Sequence, residues 1–200
     1  MTTLLLTALL ILAPTAGFAQ TAAAGGPQVP SSAPPTTDRF QDFLHAALLS
    51  PEPYVLAFGA AVIDELSTMP EEWTGSSGFG KRNLARVGSG FASDAIGHSV
   101  AAVLGHRVPY EPCGCTGKWP RTRHALGRGF VTRSDDGHPV ANTSLFIAKF
   151  GAAGLANAWY PESYGGSDVV REGFVGIGVN AALNIAREFA PELMRLIPFR

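Results

Sequence analysis

Charge is scarce in this sequence: Asp, Glu, Lys and Arg make up 16% of its 200 residues, against roughly a quarter in an ordinary soluble domain. With a formal net charge of −1, the chain lacks the overall basic excess of a nucleic-acid binder, so no nucleic acid is expected as a partner. Two cysteines are too few for a disulfide framework or a four-thiolate zinc site. Gly173 to Ala186 is fourteen residues without a charge and Ala95 to Gly105 is eleven, both short of the roughly twenty residues a spanning helix needs. No G-x-S-x-G elbow and no H-E-x-x-H zinc motif occurs, so no hydrolase of those kinds is indicated. No cofactor motif is complete and none is expected.

What the chain does have begins at its first residue. Leu4 to Leu12 is an almost unbroken apolar run, Pro14 breaks it, and Gly17 and Ala19 sit where a signal peptidase reads small residues. Residues 1–19 are therefore expected to be an export signal, although no Lys or Arg precedes the run. Residues 20–37 carry no charge and contain Pro27, Pro30, Pro34 and Pro35, which withhold backbone hydrogen bonds and predict a linker. A single domain over residues 38–200 follows, large enough to bury about two thirds of its unfolded surface.

Charge is unevenly spread. From Asp38 to Glu72 one Arg stands against seven acids, whereas from Lys81 to Arg133 nine Lys and Arg stand against Asp94 and Glu111. The basic middle can meet anionic headgroups or a partner, or it can be neutralised by the acidic first third.

Hydrophobic spacing predicts an all-α fold, a compact bundle of about five helices with glycine- and alanine-rich packing faces and a small hairpin excursion. The helices are expected near 38–49, 54–66, 81–104, 142–160 and 170–190, with a short extra one near 121–130. Residues 67–80, with Pro70 and a Gly/Ser cluster, read as a loop. Asp135-Asp136-Gly137 marks the tip of a hairpin between Phe130–Arg133 and Pro139–Ala141. Small residues recur every four positions: Ser89, Ser93, Gly97, Ala101 and Gly105; Ser144, Ala148, Ala152 and Ala156; Gly178, Ala182, Ala186 and Ala190. Such stripes let helix backbones approach closely, within one chain or between copies in a homo-oligomer.

Three clusters are chemical candidates. Gly75-Ser76-Ser77-Gly78-Phe79-Gly80-Lys81-Arg82 nearly matches a P-loop, but Arg82 stands where a magnesium-binding hydroxyl is needed. An anion site made of Gly78, Gly80, Lys81, Arg82 and Arg86 survives from that motif. Cys113 and Cys115, one residue apart, can form a reactive disulfide, stay as thiols, or bind metal with His106 and His124. His98 lies four residues after Asp94 on one helix face, a pair that can orient a base or fix packing.

Trp73, Gly78-Phe79-Gly80-Lys81-Arg82, Arg121 to Ala125, Asp136-Gly137, Asn142-Thr143-Ser144 and Tyr160-Pro161 together resemble a family of exported bacterial proteins without known activity. The resemblance covers most of the region after the linker and implies export, but no catalytic role for any residue.

The leading expectation is an exported, periplasmic or membrane-associated protein of the bacterial cell envelope with a structural or interaction role. Its basic middle would face anionic lipid or an envelope protein. The alternative is a small thiol-redox or metal-dependent enzyme centred on Cys113 and Cys115.

Overall fold

The computed structural model describes residues 36–196. The expected export signal lies outside these residues, as does the expected linker apart from Thr36 and Thr37, which open the first helix. Among the described residues the chain forms seven α-helices and one two-stranded sheet. The all-α class holds; the expected count of about five helices does not.

Helix α1 spans Thr36–Leu44 and runs into a π-helical turn, His45–Leu49. Pro51 is the N-cap of α2, Glu52–Leu66, where a proline costs no hydrogen bond. Helix α3, Gly75–Leu104, begins six residues before the expected start. The Gly/Ser cluster read as a loop is helical because its first turn packs on the chain that precedes it. A Cβ on Gly78 would fall inside contact distance of the Trp73 carbonyl oxygen. Gly105 ends α3 at φ 62°, and its N–H closes the last turn on Ala101, a conformation that favours glycine.

Helix α4 is Lys118–Gly127. Strands β1, Val131–Arg133, and β2, Pro139–Ala141, pair antiparallel with Thr132 opposite Val140, as the turn residues predict. Asn142 accepts from the Leu145 N–H and caps α5, Thr143–Leu155. That helix stops short of Tyr160 and gives way to a 3-10 turn, Ala156–Ala158. Helix α6 is Gly166–Glu188 and α7 is Ala190–Leu196; Pro191 belongs to a fresh start, since a proline inside a helix removes a backbone donor.

Helix α3 is central. It packs on α2 and α5, α5 in turn packs on α6, and α4 lies against α6. The first two small-residue stripes meet inside the chain: a Cβ on Gly97 would touch Ala148 at 3.3 Å, and one on Gly151 would touch Ile96 at 3.3 Å. The third does not, because Gly178, Ala182 and Ala186 point outward while Gly173, Ile177, Asn184 and Glu188 point inward.

The interior is unusual in composition. Among the described residues the buried hydrophobic side chains are eleven alanines and Ile177, and no large side chain is fully buried. Arg82, Ser93, His106, Thr132, Ser144, Asn184 and Glu188 are buried beside them. Large apolar side chains lie outside, including Leu84, Val103 and Leu66 at 73%, 85% and 79% exposure and Phe58, Phe91 and Phe174. Among the described residues one unbroken helix, Gly166–Glu188, is long and apolar enough to cross a membrane, with only 17% of its most apolar window buried. The sequence expectation that no segment reached this length is corrected: the helix runs outward from the charge-free stretch through Glu172, Arg171 and Asp168.

Candidate functional site

A cavity of about 130 Å³ lies where α3, α5 and α6 meet the segment 107–110 and the hairpin. Helix α3 contributes Ser93, Asp94, Gly97 and His98; α5 contributes Ser144 and Lys149; α6 contributes Asn180, Asn184 and Arg187. Arg107, Tyr110, Arg128, Thr132 and Asn142 complete the wall. Stripes of small residues make this space possible, since Gly97 and Ala148 replace side chains that would fill it.

Burial governs the charges here. It pushes the Lys149 ammonium below its usual range against the opposing pull of Asp94, and it pushes the Asp94 carboxyl up despite Lys149 and His98. The His98 imidazole is likewise held down by burial, opposed by Asp94 and Asp42. Burial also lowers Arg128, with Glu111 opposing and Arg133 and Arg107 adding to the effect. Lys149 Nζ donates to Ser93 Oγ at 2.9 Å across 56 residues of sequence. Neither residue was a sequence candidate, because nothing local marks a contact between two helices. Among the described residues Asp94 and His98 form neither a hydrogen bond nor an ion pair; the His98 ring lies tilted against Phe43 with centroids 5.4 Å apart.

The other residues singled out in the sequence lie elsewhere. Arg82 is 3% exposed. It donates to Glu65 Oε2 at 2.7 Å and to the Met69 and Pro70 carbonyls at 2.8 and 3.0 Å. Arg86 is held by Asp64 and Glu172. Lys81 is exposed on another face, Gly80 is open, and Gly78 is closed by Trp73. The structure thus directs both arginines at the chain's own carboxylates, and part of the basic middle is neutralised by the acidic first third.

Cys113 and Cys115 are joined as a disulfide. His124 Nε2 lies 3.0 Å from the Glu111 carbonyl oxygen, and His106 is 8% exposed with Nδ1 unpartnered among the described residues. No group of three His, Cys, Asp or Glu side chains able to hold a metal occurs among the described residues.

Glu188 fastens the cysteine segment to α6. It is 3% exposed, accepts from Tyr110 Oη and from the Cys113 N–H at 3.0 Å, and meets Arg121 Nε at 3.2 Å. Burial alone would raise its carboxyl, but these donors hold it below the usual range. A carboxylate depressed in the fold stabilises above its unfolded value, 4.5, and loses that contribution as pH falls through its folded value. Glu188→Gln is therefore expected to lower the melting temperature at neutral pH and to flatten its decline below about pH 4.5. Parallel acid limbs for the two proteins would exclude this role.

Comparison with protein-family models, curated proteins and solved structures gave no match to this chain.

Proposed function

We propose that this chain is an exported, membrane-associated helical protein of the bacterial cell envelope with a structural or interaction role, seated with its apolar exterior against lipid. The observation that carries this reading is the inversion of polarity. Alanines, amides and charges fill the interior, while Leu84, Phe91, Val103, Phe174 and Val179 project outward. Exposed apolar area of this extent marks an interaction surface, and close packing through small residues is the arrangement favoured where lipid, not water, surrounds the helices. Aromatic groups lie beyond the helix ends, with Trp73 against Tyr160 at 5.2 Å and Tyr160 against Tyr164 at 4.7 Å, as suits a membrane interface.

Fractionation of the natively expressed protein tests the reading. The protein is expected in the membrane pellet, to remain there through a high-salt wash and to leave with mild detergent. Release by salt would move the contact to the basic middle, and recovery in the soluble fraction without any wash would overturn the proposal.

A further inference from the structure

The cavity concentrates positive charge that the protein neutralises only in part. Arg107, Arg128, Lys149 and Arg187 line it against Asp94 as its one acid. Arg187 is paired outside with Glu52. The Glu111 carboxylate is shared among three guanidiniums, with Arg107 and Arg133 each at 3.3 Å and Arg128 at 3.9 Å. Arg128 is the least served of the three. Its side chain is 10% exposed, and among the described residues its guanidinium donates no hydrogen bond. Lys149 has the Ser93 hydroxyl as partner, and no carboxylate within ion-pair distance among the described residues.

Buried cations without counter-charge are costly, and truncating or neutralising them relieves the cost. A bound anion achieves the same while satisfying the free guanidinium fork, which matches the oxygens of a phosphate. The opening of about 130 Å³ exceeds the space a single water takes several times over and admits a tetrahedral oxyanion. A neutral donor completes the wall: the Asn180 amide reaches it from α6, while the Ser144 hydroxyl in the same wall donates to Asn142 Oδ1 at 3.2 Å.

We infer that this cavity binds a phosphate group through Arg128 and Lys149, either as a free phosphate compound or as the phosphate of a lipid headgroup. The inference stands on the cavity alone. It holds or fails whether or not the exterior meets lipid, and the fractionation result does not decide it.

The test uses the full chain purified in mild detergent, with inorganic phosphate as probe and chloride at matched ionic strength as control. Melting temperature is expected to rise saturably with phosphate and not with chloride. Arg128→Gln is expected to weaken this response at least about tenfold, a loss in the range of a charge-assisted hydrogen bond. Lys149→Gln, on a different helix, serves the same purpose if the first variant fails to fold. A second arm measures binding to phosphatidylglycerol vesicles against vesicles of an uncharged glycolipid. A response to inorganic phosphate that Arg128→Gln removes supports the inference with a free phosphate compound as ligand. A null result there, with selective vesicle binding that Arg128→Gln removes, supports it with a headgroup as ligand. No response in either arm, or a response unchanged in both variants, overturns it.

Discussion

Arg86→Met is expected to destabilise the protein by about 3–5 kcal/mol, the usual cost of breaking a buried ion pair by removing one partner. Arg86 on α3 meets both oxygens of Asp64 on α2, with Nε and Nη2 each at 2.7 Å, and meets Glu172 Oε2 on α6 at 2.7 Å. All three side chains are largely shielded, at 22%, 13% and 19% exposure. Burial opposes the Arg86 charge, but the two carboxylates more than restore it. Remove the guanidinium and two acids from different helices face each other, with only the half-exposed Arg171, 3.5 Å from Glu172, left to pair. Against a total stability of roughly 5–15 kcal/mol, the loss is large enough to see as a fall in yield as well as in melting temperature. Neutralising both acids in the same background, with Asp64→Asn and Glu172→Gln, is expected to recover more than half of it. A single variant melting with the parent would show that water or a neighbouring group already serves these carboxylates.

Two glycines two residues apart on α3, Gly78 and Gly80, are expected to respond with opposite signs. A Cβ on Gly78 would strike the Trp73 carbonyl and crowd Arg82 Nη1 at 2.9 Å. Backbone cannot yield as a flexible side chain does, so Gly78→Ala is expected to cost about 2–3 kcal/mol, the upper range of overpacking. Gly80 has nothing within 4 Å of the position its Cβ would take. Gly80→Ala should therefore gain about 0.5–1 kcal/mol from the lost freedom of the unfolded chain alone. Chemical denaturation of both variants side by side checks the pair. A stabilised Gly78→Ala would mean that the start of α3 is not packed on Trp73.

Much of the helical framework can be read from local pattern, because proline, aspartate-glycine turns and N-caps act within a few residues of where they stand. The hairpin turn at Asp135-Asp136-Gly137 is of this kind. The start of α3 was not legible, since Gly75 to Gly80 has the composition of a loop and is helical only through contacts with Trp73, Met69 and Pro70. The cavity was least legible. His98 and Asp94 were noticed for their spacing, yet the charged groups that define the site, Arg107, Arg128, Lys149 and Arg187, come from separate segments. Conversely, Arg82 and Arg86 drew attention as a basic pair beside glycines, and their spacing carries no trace of the acids at 64, 65 and 172 that occupy them.

The face that α6 turns to α5 is low where Gly173 and Gly176 meet Phe150 and Lys149. Glycine allows a neighbour to come close but offers no knob to stop it sliding along the axis. The helix is instead pinned near both ends, by Arg86 on Glu172 and by Arg121 on Glu188. Sixteen residues separate the two acids in sequence, about 24 Å along a helix. A slip by a single residue would pull both carboxylates out of reach of their arginines at once. Smooth faces thus set the distance between helices, and the two charged pins set the register in which Asn180 and Asn184 come to stand beside the cavity.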